Sequence, residues 1–256
     1  LDSHSTTLSS HNATSDAIEA QIEHAHHEHP AYLLHHFETV EQQKAASSFG
    51  MWLFLMQELM FFGGMFMAYL VYRAWYYPAF AAASNTLDWK IGTLNTIILL
   101  TSSFTMTLAV HYAEARKVKA LANSILITIV LGIVFLGLKS TEYYAKFVEH
   151  HVPGANFSIE DFVTGHNTGM PPISADMAQH AQLFFSLYFA MTGMHALHMI
   201  IGIGILAVMY VKARGGAYTE GHTAPIDYAS LYWHFVDVVW IFLFPLLYLI
   251  NRHPVH

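Results

Sequence analysis

The sequence predicts an all-α fold: a polytopic membrane bundle of five transmembrane helices, N-terminus inside and C-terminus outside. Three observations predict it. Charged residues make up only 11% of the 256-residue chain, against roughly 25% in soluble domains. Hydrophobic residues reach 54% and fall in long runs. Five of those runs are long enough to cross about 30 Å of hydrocarbon, which takes about 20 residues.

The chain divides into two parts. Residues 1–46 form a polar tail rich in histidine: His4, His11, His24, His26, His27, His29, His35 and His36. No apolar stretch of signal-peptide length lies there, so it reads as a tail and not a secretory signal. A helical lead-in is expected over about 31–46, after Pro30. Residues 47–256 form the transmembrane domain, with spans at about 47–72, 92–113, 121–144, 182–211 and 228–250. Turn chemistry separates them. Pro78 and Ser84-Asn85-Thr86 follow the first span. Pro153-Gly154 and Pro171-Pro172 break the long loop after the third. Gly215-Gly216 and Pro225 follow the fourth. No internal repeat is evident.

Orientation follows from Lys and Arg near the helix ends. With the N-terminus inside, the inner side holds Lys44, Arg116, Lys117, Lys119, Lys212 and Arg214. The outer side holds Arg73, Lys90, Lys146 and Arg252. The outer loop also carries Glu149, Glu160, Asp161 and Asp176, a solvated loop or a face for a cationic partner. The absence of cysteine excludes disulfides, thiolate metal sites, iron–sulfur clusters and thioether-linked haem. A net charge of -7 without a basic tract excludes a nucleic-acid footprint.

Ionisable groups at membrane depth are costly unless paired or hydrated, so each needs a reason. Glu58 lies about 16 Å into the first span at 1.5 Å per residue. It is either a carboxyl hydrogen-bonded to a neighbouring helix or a proton-handling group. His195 and His198, spaced i, i+3 in the fourth span, share a face; two ligands do not make a metal site. His234 and Asp237 in the fifth span can pair with each other. Lys139 and Glu142, and His111 and Glu114, repeat that spacing. With the N-terminus inside, His111, Glu114, His234 and Asp237 fall in the inner half of the bundle. That convergence suits a lipid head group, a partner's proton entry or glue between helices. Gly63-Gly64, Gly193, Gly202 and Gly204 allow close backbone approach. Methionines such as Met51, Met56, Met60, Met65 and Met67 read as adaptable packing.

Four stretches together resemble subunit III of the heme–copper respiratory oxidases: Ser47 to Tyr72, with Glu58-Leu59-Met60-Phe61-Phe62; Asn95 to Ser103; Gly193 to Gly202; and Tyr232-Trp233-His234-Phe235-Val236-Asp237-Val238-Val239-Trp240. Leu131 to Tyr143 adds a weaker fifth. They follow one another in the family's order across 47–250. Members often have seven helices, and this chain is similar to five-helix bacterial forms that match the last five. The resemblance implies a non-redox accessory subunit of a proton-pumping cytochrome c oxidase in a bacterial plasma membrane. It implies direct packing on subunit I, with subunit II and other respiratory subunits nearby, and support for proton uptake and durable turnover. Haems and copper belong to the partner subunits, with none bound by this chain, and phospholipid is expected. Glu58 matches the family's carbodiimide-reactive membrane carboxylate. His111, Glu142, His195, His198, His234 and Asp237 are the expected intramembrane lipid or partner contacts; no catalytic or metal residue is expected. A quinol oxidase subunit III is the alternative. A b-type cytochrome using His111, His195, His198 and His234, or a transporter using Glu58, are further readings from other classes.

Overall fold

The computed structural model describes residues 37, 39–154, 156–166, 168–216, 218 and 223–250. The tail histidines and Arg252 lie outside these residues. The described residues are all-helical, and five helices are long and apolar enough to cross a membrane.

The chain forms two units, divided between Phe49 and Gly50. In the first, the Thr39 hydroxyl accepts the Gln42 N–H at 3.1 Å and caps the start of helix α1, Val40–Trp75. The second holds the bundle. Its long helices are the rest of α1, then α3 (Trp89–Glu114), α4 (Val118–Val148), α7 (Ala181–Arg214) and α8 (Ala224–Tyr248). Three short helices occupy the loops: α2 (Tyr77–Asn85), α5 (Glu160–Thr164) and α6 (Ala175–Gln179).

Every long helix begins before its apolar run does, and all but α8 run past its end. The apolar run marks only the hydrocarbon, while backbone hydrogen bonds continue into the interface. Asp88 shows how: its carboxylate accepts the Lys90 N–H at 2.9 Å and starts α3 three residues before Gly92. At the other end of α3, Arg116 takes a left-handed conformation (φ 55°). Its N–H reaches Ala113 O, and the Lys117 N–H reaches Tyr112 O at 2.9 Å. This 6→1, 5→2 pattern closes the helix and sends α4 back antiparallel within a few residues.

Helices α3, α4, α7 and α8 close into a ring in which α3 and α7 each pack on both α4 and α8. Aromatic indoles pin it. Trp233 donates to Ser102 at 2.8 Å and Trp240 to Thr96 at 3.1 Å. A Cβ at Gly132 would stand 2.9 Å from the Trp233 ring and 3.3 Å from Ile203, so glycine lets α4 approach α7 and α8. Gly202 faces Tyr232 and Trp233 in the same way. Gly63, Gly64, Gly193 and Gly204, expected to pack, face open space instead. At α1 the reason is distance, since long aromatic side chains bridge it to the ring.

Helix α1 stands outside that ring. Its spanning window is 11% buried, against 50% for α8. The Phe62 ring reaches His198 at 5.4 Å and Phe235 at 6.4 Å. The Tyr69 hydroxyl donates to Leu246 O at 2.7 Å. Ser84 of α2 donates to Leu247 O at 2.6 Å. These two hydroxyls satisfy carbonyls of the last turn of α8, which have no intrahelical partner. On its other side α1 exposes Trp52, Met56, Met60 and Met67, a surface suited to hydrocarbon or another apolar helix.

Candidate functional site

The carboxylate within the first span has a partner that sequence spacing did not pair with it. Glu58 Oε2 lies 3.1 Å from His198 Nε2, joining α1 to α7. The other ring nitrogen, Nδ1, is 2.8 Å from Met194 O. A carbonyl only accepts, so Nδ1 carries a hydrogen. Nε2 then has a hydrogen only if the imidazole is cationic. The contact therefore holds one shared proton: a carboxylic acid donating to neutral Nε2, or an imidazolium donating to a carboxylate. In both forms the pair is neutral overall, the condition under which it lies at membrane depth at least cost. Tyr232 donates to His198 O at 3.0 Å and its ring flanks the imidazole, as does Phe62.

Below this pair, between α1 and the α7–α8 seam, lies a mainly apolar groove of about 500 Å³. Phe54, Ile201, Ile205 and Met209 line it, and Glu58 and His198 are also at its wall. The shared proton thus faces an opening large enough for an acyl chain.

A second buried polar group ties α4, α7 and α8. Lys139 Nζ lies 3.2 Å from Glu142 Oε2 and donates to the hydroxyls of Tyr188 at 3.1 Å and Tyr248 at 2.7 Å. Tyr188 then donates to Glu142 Oε1 at 2.6 Å, and Tyr248 donates to the same oxygen. Each tyrosine accepts from the cation and donates to the anion, so the charges are linked directly and through two hydroxyls. Lys139 and Glu142 are 3% and 5% exposed, a depth that demands such closure. The i, i+3 spacing revealed the charged pair; nothing marked Tyr188 and Tyr248 among the chain's 14 tyrosines.

The remaining expected residues separate. His195 and His198 do not act on one target. His195 lies 5.5 Å from the Phe135 ring and 5.3 Å from the Trp240 ring, while His198 turns to Glu58. Residues i and i+3 are offset around a helix, and here the ring and α1 fall on either side of that offset. His195 is 1% exposed, and neither of its nitrogens has a hydrogen-bond partner among the described residues.

His234 does not pair with Asp237. Its Nδ1 bonds the Ser103 hydroxyl at 2.6 Å, and no ion pair joins the two among the described residues. The serine of α3 stands closer to the imidazole than the carboxylate on its own helix. Asp237 is 3% exposed, and the hydroxyl beside its carboxyl is that of the same Ser103. His111 and Glu114 are exposed near the end of α3, so the expected inner-half convergence does not form one cluster. Among the described residues no three His, Asp or Glu side chains gather as metal ligands.

The end of α4 and the loop after it are tied to each other, to the turn after α2 and to α7. Lys146 donates to Thr86 O at 2.7 Å and to Glu149. His151, 1% exposed, stacks on Phe185 at 5.1 Å. Its Nδ1 lies 3.2 Å from Glu149 and its Nε2 3.4 Å from Asp161. Burial first, and the Lys146 cation second, hold His151 below its ordinary 6.5 against the pull of the two carboxylates. Glu149 and Asp161, read in sequence as a solvated or partner-facing surface, thus serve the loop itself.

The chain matches the family described as Cytochrome c oxidase subunit III over residues 27–251. It is similar to a cytochrome c oxidase subunit 3 of Thermostichus vulcanus, 30% identical over 236 residues, covering 90% of this chain and 93% of the relative. The Dugong dugon protein of that name is 33% identical over 226 residues, 84% of this chain and 72% of the relative. The Arabidopsis thaliana one is 33% identical over 208 residues, 78% and 67%.

Proposed function

The chain belongs to the cytochrome c oxidase subunit III family, and we propose that it is the non-redox accessory subunit of a proton-pumping terminal oxidase, packed directly on subunit I. The observation that carries this reading is where the intramembrane polar groups are spent. Glu58, His198, Lys139, Glu142 and His234 all bond within the bundle. That use braces helices against one another and suits a scaffold more than a redox centre. In this reading the haems and copper sit in the partner subunits.

The chain lies in the bacterial plasma membrane with its N-terminus inside, which puts Arg116, Lys117, Lys119, Lys212 and Arg214 on the inner side. Cytochrome c is the electron donor, a choice supported by the names of the relatives. The groove beside Glu58 takes phospholipid: its apolar wall suits an acyl chain, and the neutral Glu58–His198 pair places no net charge against it. The subunit supports proton uptake and durable turnover by holding subunit I and lipid together.

The test removes this chain from the purified oxidase. Initial oxygen reduction is expected to persist, while activity under continuous turnover decays sooner than in the complete complex. Immediate loss of haem reduction would place a redox role on this chain and refute the reading.

A further inference from the structure

A second cavity, away from Glu58, opens where α4 begins and α7 ends. Its volume is about 430 Å³, and Val118, Lys119, Ala122, Asn123, Tyr210 and Arg214 line it. We propose that this cavity binds the phosphodiester head group of an anionic phospholipid. The inference rests on the membrane setting of the chain and not on the identity of its oxidase partner.

The polar lining supplies donors and no carboxylate. Arg214 Nη1 donates to the Tyr210 hydroxyl oxygen at 3.3 Å, and the guanidinium lies 6.0 Å from the centre of that ring. Tyr210 therefore accepts from arginine and keeps its own O–H to give. The remaining guanidinium N–H groups, the Lys119 ammonium and the Asn123 amide complete a donor set matched to phosphate oxygens. Neither Lys119 nor Arg214 has an ion-pair partner among the described residues. Both side chains are exposed and open to a ligand, whereas the buried lysines, Lys139 and Lys146, are each held by a carboxylate.

Position selects a lipid over a free anion. The apolar run of α4 starts at Leu121, two residues past Lys119, and that of α7 ends at Val211, three before Arg214. Both cations thus stand at head-group level. Val118 and Ala122 give the cavity an apolar floor. One to two turns deeper, α4 exposes Leu126, Ile127 and Val130 at 40%, 49% and 50%. Acyl chains have a surface to follow directly beneath the phosphate site.

The full-length chain in detergent is titrated with phosphatidylglycerol or phosphatidylcholine of identical acyl chains, and bound lipid is counted by native mass spectrometry. Phosphatidylglycerol is expected to bind at least about tenfold more tightly. The double variant Lys119→Gln/Arg214→Gln is expected to lose about thirtyfold and fall to the phosphatidylcholine level, the scale set by two interfacial cations. Lys90→Gln, at the opposite end of the bundle, is expected to change nothing. Lys119→Arg/Arg214→Lys keeps both charges and is expected to retain binding. Tyr210→Phe, which removes one donor without a charge, is expected to weaken it several-fold; these two variants decide the matter if the double glutamine variant does not fold. Equal binding of the two lipids, or undiminished binding in a folded Lys119→Gln/Arg214→Gln chain, would overturn the proposal. So would displacement of phosphatidylglycerol by millimolar inorganic phosphate, which would make this a free-anion site.

Discussion

Replacing Glu142 by alanine should cost far more stability than replacing Lys139 by methionine, although each removes one member of the same ion pair. The difference follows from who donates to whom. Without Glu142, the Lys139 ammonium, 3% exposed, keeps only two tyrosine oxygens as acceptors. An uncompensated buried charge of this kind costs about 3–5 kcal/mol. Without Lys139, Glu142 still accepts from Tyr188 and Tyr248. Two hydrogen bonds to a charged group are worth about 1.5–3 kcal/mol each, so the carboxylate stays mostly satisfied and the loss should be about 1–3 kcal/mol. The double variant Lys139→Met/Glu142→Ala removes both charges and should cost less than the two single changes together, by about 1–3 kcal/mol. Unfolding of the detergent-solubilised chain by graded denaturing detergent gives these differences. Tryptophan emission is a convenient reporter, because Lys139 lies 5.3 Å from the Trp240 ring. Equal costs for the two single changes, or strict additivity in the double, would refute the hydrogen-bond direction assigned to the network.

Four further outcomes are expected. Glu58→Gln should leave maximal oxygen reduction nearly unchanged in the assembled oxidase, because a glutamine N–H can donate to His198 Nε2 where the acid did; loss of most activity in an intact complex would contradict this. Gly132→Ala should destabilise the bundle by about 1–3 kcal/mol, since its Cβ would meet a Trp233 ring held by Ser102; chemical unfolding checks it. His150→Gly should stabilise the end of α4 by about 1 kcal/mol, as His150 has φ 56° where its N–H and that of His151 turn back to Phe147 and Lys146; the same unfolding assay reads the gain. His151 should make the loop after α4 less stable in mild acid. Its folded value lies below 6.5, so both states are neutral above that pH. As pH falls through about 6.5 the unfolded state takes up the proton first, and stability is lost until the folded value is reached. Hydrogen exchange of residues 149–162 between pH 8 and 5 should show this in the wild type and weaken in His151→Gln.

The spans were legible in the sequence because hydrocarbon imposes a length and a polarity that each helix must satisfy alone. Glu58, Lys139 and Glu142 were legible for the same reason: charge in an apolar run stands out without knowledge of neighbours. Partners were not. The Glu58–His198 contact joins residues 140 positions apart, and no local pattern encodes which imidazole faces which carboxyl. The i, i+3 rule proposed His234 with Asp237, but a serine across the helix interface was better placed. Gly132 and Gly202 became packing sites because large indole and phenol rings face them; Gly63 and Gly64 did not, because α1 meets its neighbours through long side chains. The short helices in the loops, too brief for periodicity, are set by the side chains packed around them.

The proposed scaffold role rests on intramembrane polar groups that mostly bond within the bundle, with oxygen chemistry left to neighbouring subunits. The most direct measurement is an absorption spectrum taken before and after separation of the tagged chain from whatever purifies with it in mild detergent. The account predicts that haem absorption travels with a larger co-purifying chain and that the separated chain shows no Soret band. Stoichiometric haem retained by the separated chain, or purification without any haem-bearing partner, would contradict it.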